Sequence, residues 1–132
     1  MFYLALMISG GLGVLARYML NRLAFVIQWN WLPFGTMLAN IIGCFLIGYL
    51  SWFLVHRWRV SQEIQTVILT GFLGGFTTFS AFSLETISLF EQGVTSKALL
   101  YVLLSVVCCL LMTMLGVMLA CLLYTSPSPR DS

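Results

Sequence analysis

The sequence is poor in charged residues. Only 8% of its 132 residues are Asp, Glu, Lys or Arg, against about 25% in a typical soluble domain. Hydrophobic residues make up 61%, and the mean hydropathy is +1.02. A water-soluble monomer or a disordered chain would need far more polar side chains. A net charge of +2 is also too small for a nucleic-acid-binding surface. What remains is an integral membrane protein.

Residues that build metal, redox and catalytic centres are also scarce. The single histidine, His56, lies at the edge of an apolar run, and no two acidic residues fall within helical reach inside such a run. The cysteines lie in apolar runs without the Cys-x-x-Cys spacing of a metal site, so we interpret them as small apolar fillers; they are Cys44, Cys108, Cys109 and Cys121. An enzyme is therefore not expected.

Four apolar runs are long enough to cross a hydrocarbon core, which takes about 20 helical residues. They extend over residues 2–27, 33–55, 64–90 and 98–123. The pattern predicts a single transmembrane domain of four helices over residues 1–123. The segment 124–132 is polar and contains two prolines, Pro127 and Pro129. It cannot form membrane helix, and it is expected to be a non-native tail.

The positive charges of the predicted loops do not favour one orientation. Arg57 and Arg59 lie on one side of the membrane, and Arg22 and Lys97 lie on the other. The positive-inside rule therefore gives no direction. Two interpretations remain open. Either short loops carry a weak signal, or the chain inserts both ways round, which would permit an antiparallel dimer of identical chains.

The third run contains the most unusual segment, Gly71 to Glu85, in which three glycines precede two threonines and two serines. Each glycine weakens a helix by about 1 kcal/mol, and hydroxyl side chains can bond the freed backbone groups. The segment predicts a helix break near Gly74–Thr78. Irregular backbone at membrane depth is tolerated only inside protein or beside a watery cavity, and it often provides ion ligands. Close helix packing through small residues is the structural alternative.

Polar and small residues also recur every four positions in the other runs. Such stripes predict either helix–helix contacts or the lining of a pore. Arg17 could reach the interface or concentrate anions at a vestibule, and Glu85 could pair with an arginine or become protonated. The stripes are Ser9, Gly13 and Arg17; Gly35, Ala39 and Gly43 beside Thr36 and Asn40; and Tyr101, Ser105 and Cys109.

Two phenylalanines follow the predicted break. Phe79 and Phe82 are three positions apart, so they share a helix face. Phenylalanine in a membrane span usually serves packing. The functional alternative uses the ring edge, whose partial positive charge can contact an anion without a full countercharge. Conduction requires weak sites of this kind, because tight binding would hold the ion.

Together these segments resemble the Fluc/CrcB family of small fluoride channels. The resemblance covers Met1 to Leu123 and rests on three motifs. It implies a four-helix subunit in an antiparallel, dual-topology homodimer with two pores, in a bacterial-type cytoplasmic membrane. It also implies passive, selective export of fluoride, which reduces fluoride toxicity. The motifs are Gly10-Gly11-Leu12-Gly13 with Arg17-Tyr18, Gly35-Thr36-Met37-Leu38-Ala39-Asn40 with Gly43 and Gly48, and the string Gly-Gly-Phe-Thr-Thr-Phe-Ser-Ala-Phe at residues 74–82.

The resemblance further implies roles for single residues. The main-chain carbonyls of Gly74 and Thr77 would hold a structural sodium ion that is not transported. The ring edges of Phe79 and Phe82 would face fluoride. The chain departs from the family pattern at Cys109, where a hydroxyl is expected, and at Ala81, where many relatives have threonine. The remaining implied pore residues are Asn40, Thr36, Ser80, Tyr101, Ser105 and Cys109, with Arg17 and Glu85 in vestibule or electrostatic roles.

Two other functions compete with this hypothesis. Proton-coupled small multidrug transporters are also four-span, dual-topology dimers, but they couple transport through a glutamate in the first helix. The first run here contains no acidic residue. The second competitor is a structural membrane subunit without any transport activity.

Overall fold

The computed structural model describes residues 1–28 and 31–125, and within these ranges all regular structure is helical. The third apolar run is divided into several helical pieces, whereas each of the others forms one helix. The elements are α1 (Phe2–Val26), α2 (Phe34–His56), α3 (Gln62–Thr66), a π-helical segment (Val67–Leu73), α4 (Gly74–Phe76), α5 (Phe79–Glu91) and α6 (Thr95–Thr125).

Four helical stretches in the described ranges are long and apolar enough to cross a membrane: Phe2–Val26, Phe34–His56, Gln62–Glu91 and Thr95–Leu123. The 18-residue windows that qualify within them have mean hydropathies of 1.4, 2.0, 1.6 and 2.7, respectively. The prediction of an all-helical protein with four membrane-spanning helices is confirmed.

The helix ends differ slightly from the predicted limits of the apolar runs. The third span starts at Gln62, because the Ser61 side chain caps the helix and accepts a hydrogen bond from the Ile64 amide at 3.3 Å. The fourth helix, α6, continues at its C-terminal end through Thr125, into the segment that was predicted to be a polar tail. Residues 126–132 of that tail lie outside the described ranges.

The third span breaks at Thr77 and Thr78, within the predicted interval. Both residues are extended, with φ/ψ of −91°/156° and −153°/126°. The Thr78 hydroxyl then caps α5 by accepting a hydrogen bond from the Ala81 amide at 3.2 Å. Gly74 remains helical, with φ −63° and ψ −35°. The expectation that glycine frees the backbone near Gly74 is therefore wrong, and the threonines make the break.

The π-helical segment Val67–Leu73 precedes the break and was not predicted from the sequence. Helices of this type are rare and often lie at functional sites. At its start, the Ser9 hydroxyl of α1 donates a hydrogen bond to the Val67 carbonyl. The first span therefore supplies a polar partner where the regular helix gives way to the wider one.

Glycines let α1 lie directly against the third span. A Cβ atom on Gly13 would meet the Phe72 carbonyl oxygen and, at 2.8 Å, the Phe76 amide nitrogen. A Cβ atom on Gly75 would meet the Gly10 carbonyl. Backbone therefore touches backbone at this interface, which leaves no room for a larger residue.

The second and fourth spans form the other close pair. A Cβ atom on Gly48 of α2 would meet the Thr113 backbone of α6. Cys44 and Cys109, one turn earlier on each helix, are also neighbours and line the same cavity. Because both pairs keep the same offset in numbering, α2 and α6 run parallel along this interface. The polar stripes of the two helices therefore face each other turn by turn.

Candidate pore site

Asn40 of α2 holds the helix break in place. Its Nδ2 donates to the Thr78 carbonyl at 3.0 Å, and the Thr78 amide donates to its Oδ1 at 2.8 Å. The side-chain amide thus replaces the partner that the break removes from the Thr78 amide, and it adds a donor to the Thr78 carbonyl, which as the N-cap carbonyl starts the hydrogen bonding of α5. An unpaired amide or carbonyl inside a membrane costs several kcal/mol, so Asn40 explains how extended backbone is stable at this depth.

The same hydrogen bonds leave two carbonyls without their helical partners. In a continuous α-helix, the Gly74 carbonyl would accept from the Thr78 amide and the Thr77 carbonyl from the Ala81 amide. The Thr78 amide instead donates to Asn40, and the Ala81 amide donates to the Thr78 hydroxyl. These are the two carbonyls that the family resemblance names as sodium ligands.

Arg17 of α1 contacts the carbonyl between them. Its Nε donates to the Gly75 carbonyl at 3.2 Å. The long Arg17 side chain therefore contacts the third span and does not only extend towards the membrane–water interface. The contact occupies the Gly75 oxygen, one of the carbonyls that lose their helical donor at the break, with a charged donor.

A cavity of about 240 Å³ lies on the other side of the break, between α5, α2 and α6. Phe79 is 76% exposed, so the cavity is open on the side of this ring. The described lining contains no charged residue. It consists of Asn40, Cys44, Thr77, Thr78, Phe79, Phe82, Ser105, Val106 and Cys109.

Ser105 places an unpartnered hydroxyl in this cavity. The residue is 4% exposed, and its Oγ has no hydrogen-bond partner among the described residues. Buried hydroxyls are normally bonded, and leaving one unpaired costs about 1–3 kcal/mol. A buried donor of this kind beside a cavity is suited to bind a ligand that accepts hydrogen bonds.

The two phenylalanines of the motif lie together beside the hydroxyl. The ring centroids of Phe79 and Phe82 are 5.5 Å apart with an interplanar angle of 50°. Phe82 is buried and packs on Tyr101, with centroids 5.1 Å apart. Phe82 therefore has both a packing role and a cavity-lining role, whereas Phe79 has only the latter within one chain.

Glu85 lies one turn beyond Phe82 and is held by two hydroxyl groups. The Thr36 hydroxyl donates to its Oε2 at 3.0 Å, and the Tyr101 hydroxyl donates to its Oε1 at 2.9 Å. Thr36 and Tyr101 are almost completely buried. Glu85 was expected either to pair with an arginine or to be protonated. Among the described residues its side-chain hydrogen bonds come from the hydroxyl groups of Thr36 and Tyr101 and not from an arginine.

The predicted pore residues therefore divide into two groups. The first group lines the cavity and contains Asn40, Phe79, Phe82, Ser105 and Cys109. The second does not. Thr36 and Tyr101 bond Glu85, and the exposed Ser80 hydroxyl lies 3.2 Å from that of Thr78.

Sequence reasoning missed three cavity residues, Cys44, Thr78 and Val106, and it assigned Thr77 to the sodium site rather than to the cavity. Cys44 lies four positions after Asn40, so the same helical spacing that defined the polar stripe also indicated it. Thr78 was assigned to the break, but no role in the cavity was expected for it.

Comparison with known proteins identifies the family. The family model described as CrcB-like protein, Camphor Resistance (CrcB), matches residues 4–117. The chain belongs to the CrcB family. A Geobacter relative (strain M21) named fluoride-specific ion channel FluC is 44% identical over 118 residues, which cover 89% of this chain and 94% of the relative. A second relative of the same name, from Citrifermentans bemidjiense, is 43% identical with the same coverage.

A third relative is longer. The fluoride-specific ion channel FluC of Methylococcus capsulatus is 43% identical over 120 residues, and the match spans 88% of this chain but only 51% of that protein. Membership in the CrcB family confirms the resemblance seen in the sequence. It also confirms that the chain is not an enzyme, because the relatives are named as channels.

Proposed function

We propose that this protein is a fluoride-specific channel through which fluoride leaves the cytoplasm passively. The observation that carries the proposal is the unpartnered Ser105 hydroxyl in a cavity lined by Phe79 and Phe82. Fluoride is a small anion and a strong hydrogen-bond acceptor, so this buried hydroxyl offers it a donor that bonds no group of the described residues. The names of the family relatives agree with this substrate.

The chemistry of the cavity favours weak binding of an anion. Its described lining has hydroxyl, amide, thiol and aromatic groups but no lysine or arginine. A full positive charge would hold fluoride tightly, whereas conduction needs sites that the ion can leave. The described lining also lacks a carboxylate, the group through which a proton-coupled multidrug transporter couples transport to protons.

We infer that the active unit is an antiparallel homodimer with dual topology. Loop arginines and lysine are balanced between the two sides, which suits insertion in both orientations. Within one chain the cavity is open beside Phe79. A second copy against this face would close the cavity and turn a groove into a pore.

A structural sodium ion at the dimer centre is part of the proposal. The break releases the carbonyls of Gly74 and Thr77 from their helical donors. Sodium is a hard cation that prefers oxygen ligands, and unwound carbonyls are common cation ligands in membrane proteins. Gly74 is exposed within one chain, so it lies where a second copy could approach. Sodium would satisfy carbonyls of both copies and would not be transported.

The biological role follows from the chemistry of hydrofluoric acid. The neutral acid crosses membranes and ionises in a less acidic cytoplasm, where the anion accumulates. A passive channel in the cytoplasmic membrane would let that anion leave down its electrochemical gradient and so reduce fluoride toxicity.

The test is ion efflux from liposomes that contain the purified protein, without a pH gradient. We expect fluoride efflux to be rapid and chloride efflux from matched liposomes to stay at the level of protein-free vesicles. Equal efflux of both anions, or a requirement for a proton gradient, would overturn the proposed function.

A further inference from the structure

Two cysteines from different helices meet at the cavity. Cys44 of α2 and Cys109 of α6 both line it, both are free and half-buried, and their thiols are close enough to interact electrostatically. The helix packing explains why they are neighbours, because Gly48 lies against Thr113 one turn further along each helix. The closeness of the two backbones there keeps the two thiols on facing positions.

We propose that this thiol pair is a binding site for soft, two-coordinate metal ions such as Hg²⁺, and that metal bound there blocks the cavity. Thiolate sulfur is the ligand that soft metal ions prefer. Mercuric chloride would bind by exchange: each thiol releases a proton, each chloride leaves, and two sulfur–mercury bonds form. No oxidant or reductant is required.

The surroundings favour entry of the metal as a neutral species. The described cavity lining is largely apolar and carries no charged residue. Mercuric chloride is uncharged, so it can enter without the cost of burying an ion. The cavity is open beside Phe79, which provides a path to the thiols.

The other two cysteines are matched controls. Cys108 and Cys121 are also half-buried residues of α6, but neither lines the cavity. Cys121 lies about 18 Å along the helix from Cys109, at the usual helical rise.

Blockage follows from the position of Cys109, and this part of the inference rests on the proposed function. Cys109 lies one turn from Ser105, whose hydroxyl is the proposed fluoride donor. Mercury between Cys44 and Cys109 would occupy the same cavity and hinder the ion there. Binding of the metal itself does not depend on what the cavity transports.

The binding experiment uses the full chain with Cys108→Ser and Cys121→Ser, so that only the pair remains. Purified protein is titrated with mercuric chloride, free thiols are counted with a thiol reagent, and bound mercury is measured after gel filtration. We expect one mercury per chain to remove both thiols. Two mercury ions per chain, each on one thiol, would overturn the site.

A competition experiment separates paired from single thiols. Cys44→Ser on the same background leaves one thiol, which can bind mercury only singly. We expect 2-mercaptoethanol to remove mercury from this variant at concentrations at least about tenfold lower than from the two-thiol protein. This ratio corresponds to about 1.4 kcal/mol of binding free energy. Cys44→Ala serves if the serine variant folds poorly. Equal resistance of the paired and single-thiol proteins would contradict the proposal.

The flux experiment tests the block separately. Fluoride efflux of the two-thiol protein should stop at one mercury per chain and recover after addition of a dithiol. Each single-thiol variant is compared with its own efflux before metal is added. Block of its efflux should need at least about tenfold more mercury than block of the two-thiol protein. Efflux that continues with the pair fully occupied would overturn the block. An absence of fluoride efflux before metal would instead contradict the proposed function, and the thiol count would still decide the site.

Discussion

The two faces of the third span differ in how they satisfy their polar groups. Towards α1, backbone packs on backbone at Gly13 and Gly75, and the side chains of Ser9 and Arg17 donate to carbonyls of the span. Towards α2 and α6 there is a cavity, and the Ser105 hydroxyl beside it lacks a partner among the described residues.

The difference separates a supporting interface from a binding one. An unpaired buried hydroxyl costs about 1–3 kcal/mol, and extended backbone in a membrane would cost more without partners. The tight face and the Asn40 hydrogen bonds hold the break rigidly, so the open face can keep a donor free for an ion. Substitutions on the tight face should therefore affect folding first, and those on the open face should affect flux first.

The largest effect is expected from Gly13→Ala. The new Cβ would meet the Phe72 carbonyl and the Phe76 amide, and backbone cannot move aside as a flexible side chain can. Overpacking costs about 1–3 kcal/mol or more, so we expect little folded protein in size-exclusion chromatography. Gly11→Ala is the control, because its Cβ meets nothing within 4 Å. Equal yields and thermal midpoints for the two variants would contradict the tight interface.

Asn40→Leu should come next, because it affects both the helix break and the cavity. The substitution leaves the Thr78 amide unpaired, at a cost of about 1–3 kcal/mol, and removes one of the donors to the Thr78 carbonyl. We expect a lower thermal midpoint together with loss of fluoride efflux. Asn40→Asp keeps the acceptor for the Thr78 amide and should retain more stability. The assignment of Asn40 to the break would fail if Asn40→Leu melted at the parent temperature.

The sequence predicted the helices better than the contacts between them. Apolar runs of membrane length determine the four spans, since each must satisfy its own backbone. The break was also indicated, but its position depends on Asn40, which lies 38 residues from Thr78. The π-helical segment left no signal in the sequence, because its Ser9 contact joins residues 58 apart.

The cavity was predicted only in part for a similar reason. Spacing by four on α6 brought Ser105 and Cys109 to one face, and both line the cavity. The same spacing included Tyr101, whose hydroxyl instead donates to Glu85. Helical periodicity determines the face of a residue, whereas the partner that occupies its polar group depends on the neighbouring helix.

Ser105→Ala tests the open face directly. Hydrogen bonds to charged groups are worth about 1.5–3 kcal/mol, so loss of the hydroxyl should reduce fluoride efflux by about tenfold or more. The thermal midpoint should stay the same or rise, because the Ser105 Oγ bonds no described protein group. Ser51→Ala is the matched control. The Ser51 hydroxyl donates to the Gly48 carbonyl at 3.2 Å, and Ser51 does not line the cavity. A clear loss of stability in Ser105→Ala, with normal fluoride efflux, would show that Ser105 supports folding rather than ion binding.

Replacing each phenylalanine with isoleucine separates packing from flux. Both changes remove a ring edge from the cavity, and ring interactions are worth about 0.5–1.5 kcal/mol, so efflux should fall by up to about tenfold in each. Only Phe82→Ile should also lower the thermal midpoint, because Phe82 is buried against Tyr101 whereas Phe79 is 76% exposed. If both variants conduct as the parent does, the rings serve only packing.

The smallest effect is expected from Thr77→Ser, and it tests whether the proposed sodium ligand is the main chain. Serine keeps the hydroxyl that donates to the Leu73 carbonyl at 3.0 Å and loses only the methyl group that faces Gly43. One methyl group is worth about 0.8 kcal/mol, and the carbonyl is unchanged. The dimer should therefore stay as dependent on sodium as the parent, measured as the dimer fraction in sodium against N-methylglucamine.

Gly74→Val is the contrasting variant for the same measurement. Within one chain its Cβ has room, with only the Leu69 carbonyl at 3.9 Å, so the folded subunit should persist. At the proposed dimer centre the added side chain would separate the two copies and their carbonyls, and the dimer fraction should fall even in sodium. Main-chain ligands should tolerate the loss of a methyl group, but not a side chain that separates the two subunits. A dimer that still depends on sodium in Gly74→Val, or one that no longer depends on sodium in Thr77→Ser, would therefore place the ion elsewhere.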